Sequence, residues 1–501
     1  MYNSSYNQSF RKNSPNENEA QKIILKKWNI YTLVDVLIEK AQLEDYSLED
    51  TLKSLMPKLI SEIDCEAIFI KTKDETLKMK TFNALKKGYN SIPADMKEIE
   101  EYAHKREIYI NKEIGTLIAM RIDVAQQYFG IIGIFFDKQL DNDYIDEKIE
   151  MLHTAIEVID NYLSMIYNAS RKQKSLEKLG EAISDKILIR GLNKAVSELY
   201  KEIDFDKFII LYWKDINYSP IKYKYEDHIP LSYMVFSKDK LITSSEEEGN
   251  SELHKLLLNE SENLLKGEGE ISKKLLNKLN LTKYVEMSLI YGKNTEQLVG
   301  KIIIKKKNKN FNTTQRDILK SFSTLLRQRI VDFNKEYQSL SMYFSPAIVN
   351  KLLSEEDYQK KYLEPREQHI AILYTDIAYF TKISETLLKE PKIIGEFIDE
   401  WSYRSVQIIW ENGGVFDKMP GDCIIGLFGP PFYEYDPKEL CVRAIKTAIE
   451  INRWADEMSK SKKFDFLRKS QIIPGLGVTS GINYCPAFVG RFGPNRNFTC
   501  F

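Results

Sequence analysis

One arrangement occurs twice in this chain and limits what it can fold into: an apolar strand, a polar loop, then a long helix. The first copy is Phe129-Gly-Ile-Ile-Gly-Ile-Phe-Phe136 followed by a helix from about Asp143, and the second is Leu298-Val-Gly-Lys-Ile-Ile-Ile304 followed by a helix from about Asn312. Asn312-Thr-Thr-Gln315 opens the second helix with a capping-box-like sequence. Upstream of each copy lie an amphipathic helix and another apolar strand, Glu66–Ile70 in one and Phe208–Tyr212 in the other. A period of about 165 residues reads as two copies of one α+β module.

The helices that close the modules carry a second pattern. Ile145, Ile149, Leu152, Ile156, Ile159, Leu163 and Ile166 recur at steps of 4, 3, 4, 3, 4, 3. Leu319, Phe322, Leu326, Ile330, Phe333, Tyr337, Leu340 and Phe344 do the same with one extra step of four. A 3.5-residue period is the seam of a two-stranded coiled coil. It predicts a parallel homodimer, with the helix from about Asn312 to Phe344 passing a signal by a change of register or rotation. The plainer alternative is a helix packed on its own module. Ser345-Pro346 then breaks the helix and starts a short one.

Composition narrows the function. The 501 residues carry 72 basic and 73 acidic side chains, a net charge of −1, which argues against nucleic-acid binding through bulk charge. No apolar run is long enough to span a bilayer, and the N-terminus lacks the apolar core of a signal peptide. The five cysteines (Cys65, Cys423, Cys441, Cys485, Cys500) show no CxxC spacing, so a reduced, cytoplasmic setting is expected. The five histidines form no zinc pattern. Residues 1–20, poor in aliphatics, read as a disordered tail.

Chemistry concentrates near the C-terminus. Ala371-Ile-Leu-Tyr-Thr-Asp376 is a strand whose end delivers a carboxylate. Ile377-Ala-Tyr-Phe-Thr381 then turns into a helix, and the backbone N–H groups near Phe380 and Thr381 suit a phosphate. Glu411–Phe428 reads as a hairpin turning at Pro420-Gly421, with Lys418 on one strand and Asp422 just past the turn. Singly, Asp376 reads as a helix N-cap, Asp422 as a turn cap and Lys418 as a solvated strand residue. Jointly they read otherwise. Two carboxylates from neighbouring strands can hold two hard cations, as phosphoryl-type transfer on a nucleoside triphosphate requires.

Residues 367–501 resemble the class III nucleotide cyclase catalytic domain, through Tyr374–Glu385 (YTDIAYFTKISE), Glu411–Pro431 (ENGGVFDKMPGDCIIGLFGPP) and Gly475–Thr499. The resemblance implies a ferredoxin-like fold and an adenylate cyclase: ATP is converted to cyclic AMP and pyrophosphate, with two Mg2+ or Mn2+ ions per site. It makes Asp376 and Asp422 the metal carboxylates and the carbonyl of Ile377 a further metal ligand. Lys418 and Thr499 become the purine readers; lysine at the first position goes with adenine, where guanylate cyclases usually carry glutamate. A lysine can donate to adenine N1 and a hydroxyl can accept from N6. Cys500, one residue on, would mimic a guanine-type position after a register slip. In this family each site is shared between two protomers, so a homodimer is required. The family pattern continues beyond the Thr499 position with an asparagine and an arginine, while this sequence ends at Phe501. The resemblance therefore implies a truncated catalytic domain that has little activity by itself, with Arg491 a weak candidate for a phosphate contact. A guanylate cyclase and a non-catalytic dimeric sensor are the alternatives.

The repeated modules resemble GAF domains in layout, which often bind small-molecule effectors; no cyclic-nucleotide-binding motif stands out. The expected order is a GAF-like domain over 25–168, a second over 172–335, a helical linker over 336–366 and the incomplete cyclase domain over 367–501. Tyr212–Tyr225 reads as core and strand surface, and Lys305–Lys309 as a solvated loop.

Overall fold

The computed structural model describes residues 17–501, apart from 125–126, 217–229, 246–251, 268–269, 292–296, 307–309, 471–475 and 495. The expected tail lies outside the described residues up to position 16, and from Glu17 onward the chain is helical. Most of the aromatic stretch 212–225, the end of the lysine run and Gly475 also lie outside them. The chain divides into two compact units, Met1–Ser175 and Leu176–Phe501.

The first unit contains helices α1 (Glu17–Leu43), α2 (Leu48–Ile63), α3 (Met96–Lys105) and the first part of α4 (Asn142–Ile183). Its strands are β1 (Ala67–Lys73), β2 (Met79–Leu85), β3 (Tyr109–Asn111), β4 (Thr116–Val124) and β5 (Gln127–Phe136). They form one antiparallel sheet, ordered β2-β1-β5-β4-β3. Strand residues alternate between two cores. Ile68, Ile70, Ile132 and Ile134 pack with α1, α2 and α4, whereas Ala67, Phe69, Ile131 and Phe135 pack with α3.

The second unit continues through α5 (Leu188–Glu202), β6 (Phe205–Trp213), β7 (Leu231–Ser237), β8 (Lys240–Ser244), α6 (Glu252–Lys266), α7 (Lys273–Lys278), β9 (Tyr284–Tyr291), β10 (Gln297–Lys306) and α8 (Thr313–Ser341). Its first sheet is ordered β8-β7-β6-β10-β9. Four strands, β7-β6-β10-β9, repeat the connectivity of β2-β1-β5-β4; only the fifth strand changes edge. The expected capping box forms at α8: Gln315 N–H donates to Asn312 Oδ1 at 2.8 Å, and Asn312 N–H to Gln315 Oε1 at 3.3 Å.

The two heptad seams need correction. Ile145, Leu152, Ile156, Ile159 and Leu163 are buried in the core of the first unit, with Ile149 and Ile166 packed against it. Leu319, Phe322, Leu326, Ile330, Phe333, Tyr337, Leu340 and Phe344 are all buried in the core that contains Phe208, Ile210, Ile302 and Ile304 of their own sheet. A helix lying on a sheet also buries a stripe every three to four residues, so the period does not identify the partner. Exposing four such side chains would cost roughly 6–12 kcal/mol, comparable to the whole stability of a domain. The seams are therefore intramolecular cores and not a dimer interface.

Asn334 explains the grip of α8. It is fully buried; its Oδ1 accepts from Ile216 N–H at 2.7 Å, and its Nδ2 donates to the carbonyls of Trp213 (2.8 Å) and Ile330 (2.9 Å). Trp213 is the last residue of β6, and Ile216 follows three residues later. Asn334→Ala removes three hydrogen bonds from inside the fold and takes away the acceptor of Ile216 N–H, so a loss of about 2–4 kcal/mol is expected, measured as an earlier urea or thermal transition. A one-residue insertion here would turn Asn334 out of the core by about 100°. Such an insertion breaks the packing before it tests signalling.

After α8, Ser345 caps α9 (Pro346–Leu353) with Pro346 at its first turn, as the sequence predicts. The third sheet follows: β11 (Arg366–Ile377), α10 (Phe380–Ile383), α11 (Pro391–Glu411), β12 (Val415–Lys418), β13 (Ile424–Phe428), α12 (Pro437–Lys460), α13 (Asp465–Lys469), β14 (Val478–Phe492) and β15 (Asn497–Cys500). Its order is β12-β13-β11-β14-β15, with every neighbouring pair antiparallel. The first four are the βαββαβ arrangement called ferredoxin-like. Ala371, Leu373, Ile424 and Phe428 face α11 and α12. Ile370, Ile372, Leu427 and Val489 face the other way, into the core that holds α9 and the end of α8.

Candidate active site

β11 ends in Asp376 and Ile377, and the β12–β13 turn brings Asp422 to them. The pairing Thr375↔Ile424 aligns the two strands at that end. Asp422 Oδ2 accepts a hydrogen bond from Ile377 N–H at 3.1 Å, and its carbonyl accepts from Trp401 Nε1 at 3.0 Å. Trp401 is fully buried in α11, so this anchor fixes the turn from below. Gly421 holds φ +69°, and the turn closes with Cys423 N–H donating to Pro420 O at 3.3 Å. A glycine suits that conformation because it has no Cβ to strain.

The bland roles do not account for the carboxylates. The N-cap position of α10 is Tyr379, in a left-handed conformation without a side-chain cap bond, so Asp376 is not a helix cap. Asp422 accepts from Ile377 N–H across the sheet as well as from its own backbone. Burial and the neighbouring Asp376 push the Asp422 carboxyl up to about 6. Two carboxylates this close and partly desolvated repel one another, and a dication between them relieves the repulsion. Among the described residues, no group of three or more His, Cys, Asp and Glu side chains is assembled for a metal. The donor set here is two carboxylates, with backbone carbonyls nearby and several coordination positions left for phosphate oxygens and water. That is the pattern Mg2+ prefers.

The turn after β11 leads into α10, four residues long, and Ser384–Leu388 continues it as a π turn. The Phe380 ring stacks on Phe397, centroids 6.4 Å apart, and belongs to the domain core. Thr381 is exposed. The backbone of this turn and the exposed Thr381 hydroxyl are open to an anion.

Lys418 and Thr499 meet directly. Lys418 Nζ donates to Thr499 Oγ1 at 3.0 Å. They lie on the two outermost strands of the sheet, β12 and β15, which come together here. Thr499, and not Cys500, accepts the hydrogen bond of Lys418. Burial pushes the Cys500 thiol up to about 11, which keeps it protonated. Lys418 sits four residues before Asp422 yet pairs with Thr499 and Asp417. Arg491 acts on Tyr358, and its Nε is buried without a hydrogen bond.

Two residues of the site were not singled out from sequence. Trp401 carries no motif beyond its apolar helix face. Asp417 had a readable signal: Val415 and Asp417 are buried while Lys418 is exposed, the inward–outward alternation of a strand.

The chain matches no protein-family model and no curated protein. Among solved structures, the adenylyl cyclase CyaB from P. aeruginosa is 26% identical over 28% of this chain and 68% of that one, with a TM-score of 0.24. The guanylyl cyclase Cya2 is 24% identical over 27% of this chain and 64% of its own, with a TM-score of 0.23. A bacterial light-regulated adenylyl cyclase is 16% identical over 59% of this chain and 78% of its own, with a TM-score of 0.30. No helix among the described residues is long and apolar enough to cross a membrane.

Proposed function

We propose that the chain is the sensor and catalytic part of a nucleotide cyclase, acting on ATP as a homodimer. The observation that carries the reading is the carboxylate pair. Asp422 is held by Ile377 N–H beside Asp376, at the strand end where a triphosphate can reach both. Supporting it, Lys418 and Thr499 form a separate polar pair that fits the edge of adenine: an ammonium for N1 and a hydroxyl oxygen for N6–H. That Lys418 turns away from Asp422 suits a site shared between protomers, in which one subunit's carboxylates meet the other's base readers. Phe488 and Phe501, exposed apolar residues beside β15, suit such a neighbour. In this reading the repeated modules are GAF-like sensors of a small effector.

Bound Mg2+ or Mn2+ supplies charge neutralisation and a more acidic ribose hydroxyl. Asp376, Asp422 and the Ile377 carbonyl would hold it. The chain's own contribution is placement. Asp376 and Asp422 would hold the cations at the triphosphate end, and Lys418 and Thr499 hold the base. The ribose 3′ oxygen then faces the α-phosphorus. The new bond joins those two atoms, the bond from the α-phosphorus to the bridging oxygen breaks, pyrophosphate leaves and the hydroxyl proton passes to water.

The test is melting temperature with Mn2+ and a non-reacting ATP analogue across pH. At pH 7.5 the pair should stabilise the protein by several degrees. The gain should fade as pH drops through about 6, because a proton on Asp422 displaces the cation. Without metal the sign reverses. The folded carboxyl holds its proton more tightly than the unfolded one, so its contribution to stability grows as pH falls from about 6 toward 3.8. A metal-dependent gain that is the same at pH 5 and 7.5, or absent at both, would count against the reading.

A further inference from the structure

We propose that Asp417 fixes the Thr499 hydroxyl as a hydrogen-bond acceptor, and that this selects a purine bearing its amino group at C6. The inference rests on the cyclase reading. A hydroxyl both donates and accepts, so a threonine alone does not tell an amino group from a carbonyl. Thr499 Oγ1 already accepts from Lys418 Nζ at 3.0 Å, so its own proton must point elsewhere. Asp417 is the acceptor in place. Its side chain is 1% exposed, Oδ2 lies 3.5 Å from Lys418 Nζ, and neither oxygen has a hydrogen bond of normal geometry. The groups that act on it are Thr499, Lys418, Tyr374 and Cys500. Burial raises its proton affinity, while the Thr499 hydroxyl and the Lys418 ammonium pull it back.

A buried carboxylate without a partner is unfavourable, and taking the Thr499 proton satisfies one of its oxygens. The remaining lone pair of Oγ1 then faces outward. When a base displaces Lys418 from Thr499, that lone pair accepts from an amino group and repels a carbonyl oxygen. Lysine next door donates to the ring nitrogen. The pair thus reads a donor–acceptor pattern that adenine has and guanine reverses, with Asp417 as the positioning residue behind it.

The experiment is competition against a fluorescent ATP analogue with Mn2+, using the whole chain. The competitors are ATP, purine riboside triphosphate (no amino group) and inosine triphosphate (a carbonyl in its place). Wild type should prefer ATP over purine riboside triphosphate by about five- to tenfold, the worth of one hydrogen bond. In Asp417→Leu no acceptor remains behind Oγ1, the hydroxyl is free to turn outward, and the preference should shrink to about twofold or less. Thr499→Val should do the same, and the double variant should add nothing further. An undiminished preference in Asp417→Leu overturns the proposal. If that variant does not fold, Thr499→Val decides alone: an outward lone pair means inosine triphosphate binds better once the hydroxyl is gone, and weaker or unchanged binding overturns the proposal. No Mn2+-dependent nucleotide binding by wild type would sink the underlying cyclase reading, before any variant is compared.

Discussion

Asparagine at Asp422 or at Asp376 should lower cyclic nucleotide formation by the intact protein by at least roughly 10³-fold in kcat/KM, without lowering its metal-free melting temperature. The two halves of that result come from one cause. The Asp422 carboxyl is pushed up to about 6 by burial and by Asp376, so the pair is an electrostatic load on the folded chain. An asparagine at 422 keeps an oxygen for Ile377 N–H and removes one of the two like charges. A structural aspartate would behave in the opposite way, losing stability first. The size of the activity loss follows from removing a charge that anchors the reacting phosphate, typically worth several kcal/mol in the barrier. Activity within tenfold of wild type in either variant would rule out the carboxylate pair as the centre of the reaction.

Lys418→Glu should reduce kcat/KM for ATP by roughly 10²-fold or more and should not by itself create a GTP-specific enzyme. Lys418 Nζ is the donor to Thr499 Oγ1 and lies 3.5 Å from Asp417 Oδ2. A glutamate there removes the donor meant for adenine N1. It also sets a second carboxylate beside a buried one, where like charges are costly. Guanine further requires a donor opposite its carbonyl, and Thr499 with its proton turned toward Asp417 does not offer one. Steady-state rates with ATP and GTP check both parts. Efficient GTP turnover by the single variant would contradict the acceptor role of Thr499.

The strands, the capping box, the Pro346 helix start and the order of Asp376, Lys418 and Asp422 were legible because each is written in local residue chemistry. Thr499 came only from the resemblance, and the structure sets it against Lys418. The partner of the heptad stripes was not legible. Ile145–Ile166 and Leu319–Phe344 have the period of a coiled coil, but a sheet of the same chain takes up the stripe. Asn334 is invisible for the same reason, since its partners at Trp213 and Ile216 lie more than a hundred residues away. The stacking of Phe380 on Phe397 was not legible either, because the partner ring comes from the next long helix. Asp417 was hidden behind its more conspicuous neighbour, although strand alternation alone turns it inward.

The packing of the α8–α9 connection on the third sheet has a practical side. Phe344 meets Phe498 edge-on, ring centroids 4.9 Å apart, and Tyr343 O accepts from both Phe416 N–H and Trp410 Nε1 at 3.0 Å. Phe498 precedes Thr499 in β15, and Phe416 precedes Asp417 in β12, so one aromatic bolt steadies both strands that would grasp the nucleobase. A fragment begun at the first residue of β11 would lose that bolt and bare a greasy underside. Anyone cutting out the C-terminal portion for separate study should start upstream of Tyr343.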